Sequence, residues 1–125
     1  MPCFADTICL LDDEPSVLKA LGRLLASEGL LAQKFDDPAR FLEHASSHPV
    51  RLVVIDIRMP EMNGLEVLAK LRVSSPDTRV IVMTGENNPT YRDAALAGGA
   101  SAFFFKPFDD RAFLASVRKA ILPWA

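Results

Sequence analysis

Short apolar runs and helical stripes alternate along the whole chain. The short runs between the helical stretches predict strands at about 7 to 11, 31 to 35, 51 to 56, 79 to 83 and 102 to 105. Between them, apolar residues recur three or four positions apart. Val17, Leu18, Leu21, Leu24 and Leu25 form one stripe, which starts behind Pro15, a residue suited to a first helical turn, and stops at Gly29. Asp37 with Pro38 opens a second helix in the same way. A third begins near Asn63, aligns Leu65, Leu68 and Leu71, and sets Glu66 and Lys70 as an i,i+4 ion pair on its wet side, with Pro76 beyond its end. The fourth, from about Pro89 to Ala97, has chiefly Ala94, Ala95 and Leu96 to bury and is expected to be the most mobile. The fifth follows Asp109 and buries Phe113, Val117 and Ile121.

The order βαβαβαβαβα predicts an α/β fold with a parallel sheet covered on both faces, and the right-handed crossover rule makes a doubly wound five-stranded sheet the economical arrangement. In such sheets ligands bind outside the carboxyl ends of the strands, where the strand order reverses. Chemistry is therefore expected where strands close. The first closes on Asp12 and Asp13, the third on Asp56, the fourth on Thr84, and the fifth on Lys106 followed by Pro107. Two unit charges about 4 Å apart interact by roughly 4 kcal/mol at an effective dielectric near 20, so three carboxylates beside one lysine need another cation. Oxygen-only ligands suit Mg²⁺. Taken singly, an acid at a strand end is an ordinary helix cap, as expected for Asp37 and Asp109 and, alone, for Asp12. Thr84 alone is a strand-end hydroxyl and Lys106 alone a solvated charge. Asp56, however, is separated from the third helix by a Met-Pro turn and is poorly placed to cap it. The joint placement carries the inference.

Composition narrows the classes. A chain of 125 residues is expected to be a single domain, residues 1–125, burying about two-thirds of its unfolded surface. Half of it is hydrophobic, yet no apolar run approaches the roughly 18 residues that cross a bilayer. The N-terminus lacks a signal peptide's basic region and cleavage site, so a soluble, cytoplasmic protein without membrane contact is expected. A net charge of -2 with interleaved signs leaves no footprint for direct nucleic-acid binding. Cys3 and Cys9 are too few for a disulfide framework, and Cys9 reads as a small core residue. His44 and His48, four apart near a helix end, lack a third metal ligand and read as solvated. The chain stops at Leu122-Pro123-Trp124-Ala125, just after the fifth helix, so no output module is expected within it.

The segments LLDDE at 10 to 14, DIRMPEMNG at 56 to 64, MTG at 83 to 85 and FFFKPF at 103 to 108 resemble, in order and spacing, the two-component response-regulator receiver domain, from Thr7 to about Ile121. The resemblance implies a flavodoxin-like (βα)5 fold with strand order 2-1-3-4-5. It implies Asp56 as phosphoryl acceptor, Asp13 as a direct Mg²⁺ ligand, Asp12 as a ligand through water, and the Arg58 carbonyl as a further ligand. Lys106 then pairs with the carboxylate or the transferred group, and Thr84 donates its hydroxyl to a phosphoryl oxygen, with Gly85 leaving room for that group. Phe103 falls at the family's switch-aromatic position and, lacking a hydroxyl, reports by packing. Implied partners are a histidine kinase or phosphotransfer protein, and an output domain or second copy docking on the face of the fourth helix, fifth strand and fifth helix. Such a chain is a regulatory phosphoacceptor, not a turnover enzyme.

Three other readings compete. A haloacid-dehalogenase-type aspartyl-phosphate hydrolase resembles Asp-x-Asp, whereas this chain has Asp56-Ile57-Arg58 and no cap domain. A nucleotide or flavin carrier wants a glycine loop after the first strand, where Asp12, Asp13 and Glu14 repel phosphate. A docking-only pseudo-receiver usually lacks a site residue, and none is lacking here. Beyond the family pattern, Arg58, two after Asp56, and Glu86, two after Thr84, are expected to border the pocket mouth. Paired across it, they would hinder water and prolong the acyl phosphate's life.

Overall fold

Alternating periodicity becomes alternating structure: β1 (Ile8–Leu11), α1 (Pro15–Ala26), β2 (Ala32–Phe35), α2 (Pro38–Ser47), β3 (Leu52–Asp56), α3 (Gly64–Ser74), β4 (Arg79–Thr84), α4 (Pro89–Ala97), β5 (Ala102–Phe105) and α5 (Asp110–Ile121). The computed structural model describes residues 8–86 and 88–121. Cys3, the predicted strand start at Thr7 and the segment Leu122–Ala125 lie outside the described residues. The strands form one parallel sheet in the order β2-β1-β3-β4-β5, so the order reverses between β1 and β3.

Side chains alternate across each strand, and the two faces fill separately. Ile8, Leu10, Leu52, Val54, Ile81 and Met83 meet Leu18, Leu21 and Leu25 of α1 and Phe113, Val117 and Ala120 of α5. Cys9, Leu11, Val53, Ile55, Val80 and Val82 meet Phe41 of α2, Val67, Leu68 and Leu71 of α3 and Ala95 of α4. Cys9 is buried and free, and burial pushes its thiol up to about 12. Ala95 is the one fully buried residue of α4, in line with its thin apolar content. No described helix is long and apolar enough to cross a membrane.

Several local expectations give way to packing. Glu66 does not pair with Lys70. Its carboxylate accepts from the Asn63 N–H at 3.0 Å while Asn63 Oδ1 accepts from the Glu66 N–H at 2.9 Å, a capping box that satisfies two otherwise orphaned donors. The stripe of α3 runs through Gly64, Val67, Leu68 and Leu71, which leaves Leu65 on its flank, only partly buried. In α5 the stripe closes on Ala120, and Ile121 is only partly buried at its margin, its carbonyl accepting from Arg51 at 3.0 Å. His48 is exposed, as expected, whereas His44 is partly buried. Their rings stack at 4.3 Å, His44 also meets Phe35, and burial, followed by the neighbouring His48, lowers the pKa of His44. Asp37 and Asp109 do cap, accepting from the N–H groups of Ala39 and Ala112.

Candidate functional site

The strand ends converge on one cavity of about 660 Å³, bordered by Asp13, Asp56, Arg58, Gly85, Glu86 and Lys106. Ladder hydrogen bonds bring them there. Asp12 N–H donates to the Phe35 carbonyl at 3.1 Å, Ile57 N–H to that of Met83 at 3.0 Å, and Lys106 N–H to that of Thr84 at 2.8 Å. These bonds carry the pairing one residue past each strand. The turn behind Asp56 is tight. A Cβ at Gly64 would stand 2.6 Å from the Asp56 carbonyl oxygen and 3.0 Å from Ile57 Cα, so only glycine lets α3 start this close to the end of β3. A Cβ at Gly85 would meet nothing within 4 Å, in keeping with open space beside the strand end.

Lys106 Nζ lies 3.2 Å from Asp12 Oδ2 and 3.2 Å from Asp56 Oδ1. Asp12 is fully buried behind the cavity, with Oδ1 accepting from the Glu14 N–H at 3.0 Å, so it makes a local turn contact as well as joining the cluster. Asp56 is buried at the cavity wall, and Asp13 stands nearer solvent. One oxygen from each of the three carboxylates lies within 4.8 Å of the others. Burial raises the pKa of Asp12, against the opposing pull of the Glu14 N–H and Lys106. Burial, and then the charge of Asp12, pushes Asp56 up to about 6, only partly offset by Lys106. Burial alone would lower the pKa of Lys106, but Asp56 and Asp12 together outweigh it and hold the ammonium above its ordinary value. The pocket thus disfavours its own negative charge. Three hard oxygen donors, two of them desolvated, fit a small divalent cation such as Mg²⁺.

Thr84 is fully buried, and its Oγ1 accepts from the Glu86 N–H at 3.1 Å, turning the hydroxyl toward the loop after β4. Phe103 is half-buried against the core under α2, α3 and α4. Arg58 and Glu86 form an ion pair through Arg58 NH1 and Glu86 Oε2 at the cavity's edge. Met59, Pro60 and Tyr91 also line the cavity. Sequence reasoning did not assign Tyr91 to the site, because nothing in the local pattern of α4 says that a residue of its first turn reaches the cavity. The Lys106–Pro107 peptide bond is cis.

The response regulator receiver domain family model matches residues 8–118. The transcriptional regulatory protein FixJ of Azorhizobium caulinodans is 37% identical over 112 residues, covering 90% of this chain and 53% of that protein. The response regulator protein TodT of Pseudomonas putida is 33% identical over 117 residues, covering 94% and 52%. Among solved structures, the beryllofluoride-activated NtrC4 receiver domain dimer superimposes with a TM-score of 0.88 at 26% identity, covering 94% of this chain and 98% of that one. The chain spans about half the length of the first curated relatives it matches, 52–53%.

Proposed function

The chain belongs to the response regulator receiver domain family of two-component signalling, and from that premise we propose that Asp56 accepts a phosphoryl group from a histidine kinase or phosphotransfer protein in the cytoplasm. The observation that carries the reading is Lys106, 3.2 Å from both Asp12 and Asp56 at the wall of a cavity that Asp13 also lines. A phosphohistidine presented there loses its P–N bond as an Asp56 carboxylate oxygen forms the new P–O bond, and the imidazole leaves with the nitrogen pair. Lys106, already oriented by two carboxylates, shifts a hydrogen bond to the transferred group. Asp12, Asp13, Asp56 and the Arg58 carbonyl would hold Mg²⁺, which supplies positive charge against the developing phosphoryl oxygens. Incubation with a small phosphodonor and Mg²⁺, read by intact mass, tests the reading directly: one phosphoryl group per chain is expected, and none would overturn it.

Because the cation binds the folded site and not the unfolded chain, Mg²⁺ at ten times its Kd is expected to stabilise the protein by about 1.4 kcal/mol. Asp13→Ala removes most of that gain. Thermal unfolding with and without millimolar Mg²⁺ checks it, and an unresponsive wild type would sink the assignment of the acidic pocket.

Transfer then moves Thr84 toward the phosphoryl group and lets Phe103 turn into the space it leaves, reshaping α4, which has the least packing to lose. The α4, β5 and α5 face becomes the contact surface for an output domain or a second copy. The Arg58–Glu86 pair acts as a kinetic gate across the opening, hindering water in line with phosphorus. Both side chains are largely exposed, 63% and 43%, so the pair carries no claim on stability and is weakened by salt. Dephosphorylation after donor removal is expected to be about tenfold faster in Arg58→Ala and in Glu86→Ala, a change of about 1.4 kcal/mol in the barrier, and the double variant is expected to be non-additive. Unchanged rates in both singles would leave the pair a surface contact.

A further inference from the structure

Three successive phenylalanines close β5, and strand alternation sends them to different places. Phe104 joins the α1 and α5 side, its ring 5.4 Å from Phe108 and 6.0 Å from Phe113. Phe103 lies on the other side, against the core under α2, α3 and α4, and Phe105 shares that side by alternation. Phe105 is half-buried, yet among the described residues it joins neither core. Its ring meets Phe103 edge to face, with centroids 5.0 Å apart and planes at 84°. Across the ladder, Phe105 stands opposite Thr84 and Phe103 opposite Val82. Thr84, Phe103 and Phe105 are therefore same-face neighbours at the end of the sheet where Asp56 lies.

We propose that Phe105 is a positioning residue of the switch: its ring, at right angles to that of Phe103, holds Phe103 in the arrangement that goes with Thr84 bound to the Glu86 N–H, and so restrains the response to a phosphoryl group on Asp56. The proposal rests on the function argued above. When Thr84 turns toward the phosphoryl group and Phe103 follows, the edge-to-face contact is given up. The contact therefore favours the arrangement in which Lys106 pairs with Asp12 and Asp56. By reciprocity, it weakens binding of a phosphoryl group, or of a mimic, at Asp56. Aromatic pairs of this geometry are worth roughly a two- to tenfold change in an equilibrium.

Beryllofluoride with Mg²⁺, a non-covalent phosphoryl mimic, is the probe, titrated into the full chain. Phe105→Leu keeps apolar bulk but removes the ring and is expected to tighten binding roughly two- to tenfold. Phe105→Met, a second ring-free variant, is expected to do the same, whereas Phe105→Tyr retains the ring and is expected to bind as the wild type does. In a Phe103→Ala background the effect of Phe105→Leu disappears. A fluorine label on the Phe103 ring adds a signature that a merely structural role would not move: its resonance in Phe105→Leu shifts, before any ligand, toward the beryllofluoride-bound position. Unchanged or weaker binding in both ring-free variants, or an equal effect with Phe103 absent, overturns the role of Phe105 while leaving the phosphoacceptor intact. A wild type that takes up no beryllofluoride overturns both.

Discussion

Asp56→Asn is expected to abolish covalent phosphorylation completely. Asparagine keeps the shape of the side chain, but its amide oxygen carries no full charge and is no nucleophile toward phosphorus. No neighbour is placed to substitute. Asp12 is fully buried with one oxygen taken by the Glu14 N–H and the other by Lys106, and the ion pairs of Lys106 are with Asp12 and Asp56, not with Asp13. Asp36, Asp37 and Asp77 lie in connections between elements. Intact mass after incubation with a small phosphodonor and Mg²⁺ reads the result, and circular dichroism confirms that the variant is folded. Undiminished labelling of Asp56→Asn would move the acceptor elsewhere and undo the reading of the site.

The same substitution is expected to change the metal-free protein's response to pH. Burial, joined by the charge of Asp12, holds the Asp56 carboxyl at about 6 in the folded chain against an ordinary 3.8. Between those values Asp56 is more protonated in the folded than in the unfolded state, so its contribution to stability falls as pH rises from about 4 to about 6 and stays lower above. A rise of that size corresponds to a penalty on the order of 3 kcal/mol at neutral pH. Asp12 is shifted in the same direction and for the same leading cause, which steepens the fall. Without metal, Asp56→Asn is therefore expected to be more stable than the wild type at pH 7 and nearly equal to it at pH 4. Saturating Mg²⁺ flattens the difference, since the cation binds the ionised carboxylate. Denaturant unfolding of both proteins in chelator at several pH values measures the difference profile, and a profile flat from pH 4 to pH 7 would contradict the assignment.

On the function proposed above, the destabilised carboxylate is also the phosphoryl acceptor. A carboxylate whose charge is disfavoured by its surroundings gains more from a bound cation than an exposed carboxylate does.

Much of this was legible in the chain. Helical and strand periods, Pro15, Pro38 and Asn63 at helix starts, and the acids and lysine that close β1, β3 and β5 are local signals, since each depends on residues within a few positions of one another. The convergence of Asp12, Asp13, Asp56 and Lys106 also followed from sequence, because a doubly wound parallel sheet puts its strand ends on one side. What only the tertiary structure decided is which partner each side chain takes. Glu66 turned back to cap Asn63 instead of meeting Lys70, Gly64 proved to be the point of contact with the Asp56 backbone, Tyr91 came to line the cavity, and the Thr84 hydroxyl took the Glu86 N–H. The ring contact between Phe103 and Phe105 depends on rotamers, and their stations opposite Val82 and Thr84 depend on strand register. Periodicity assigns a residue to a face, but the partner on that face comes from a distant part of the chain, and its distance is set by packing that no local pattern encodes.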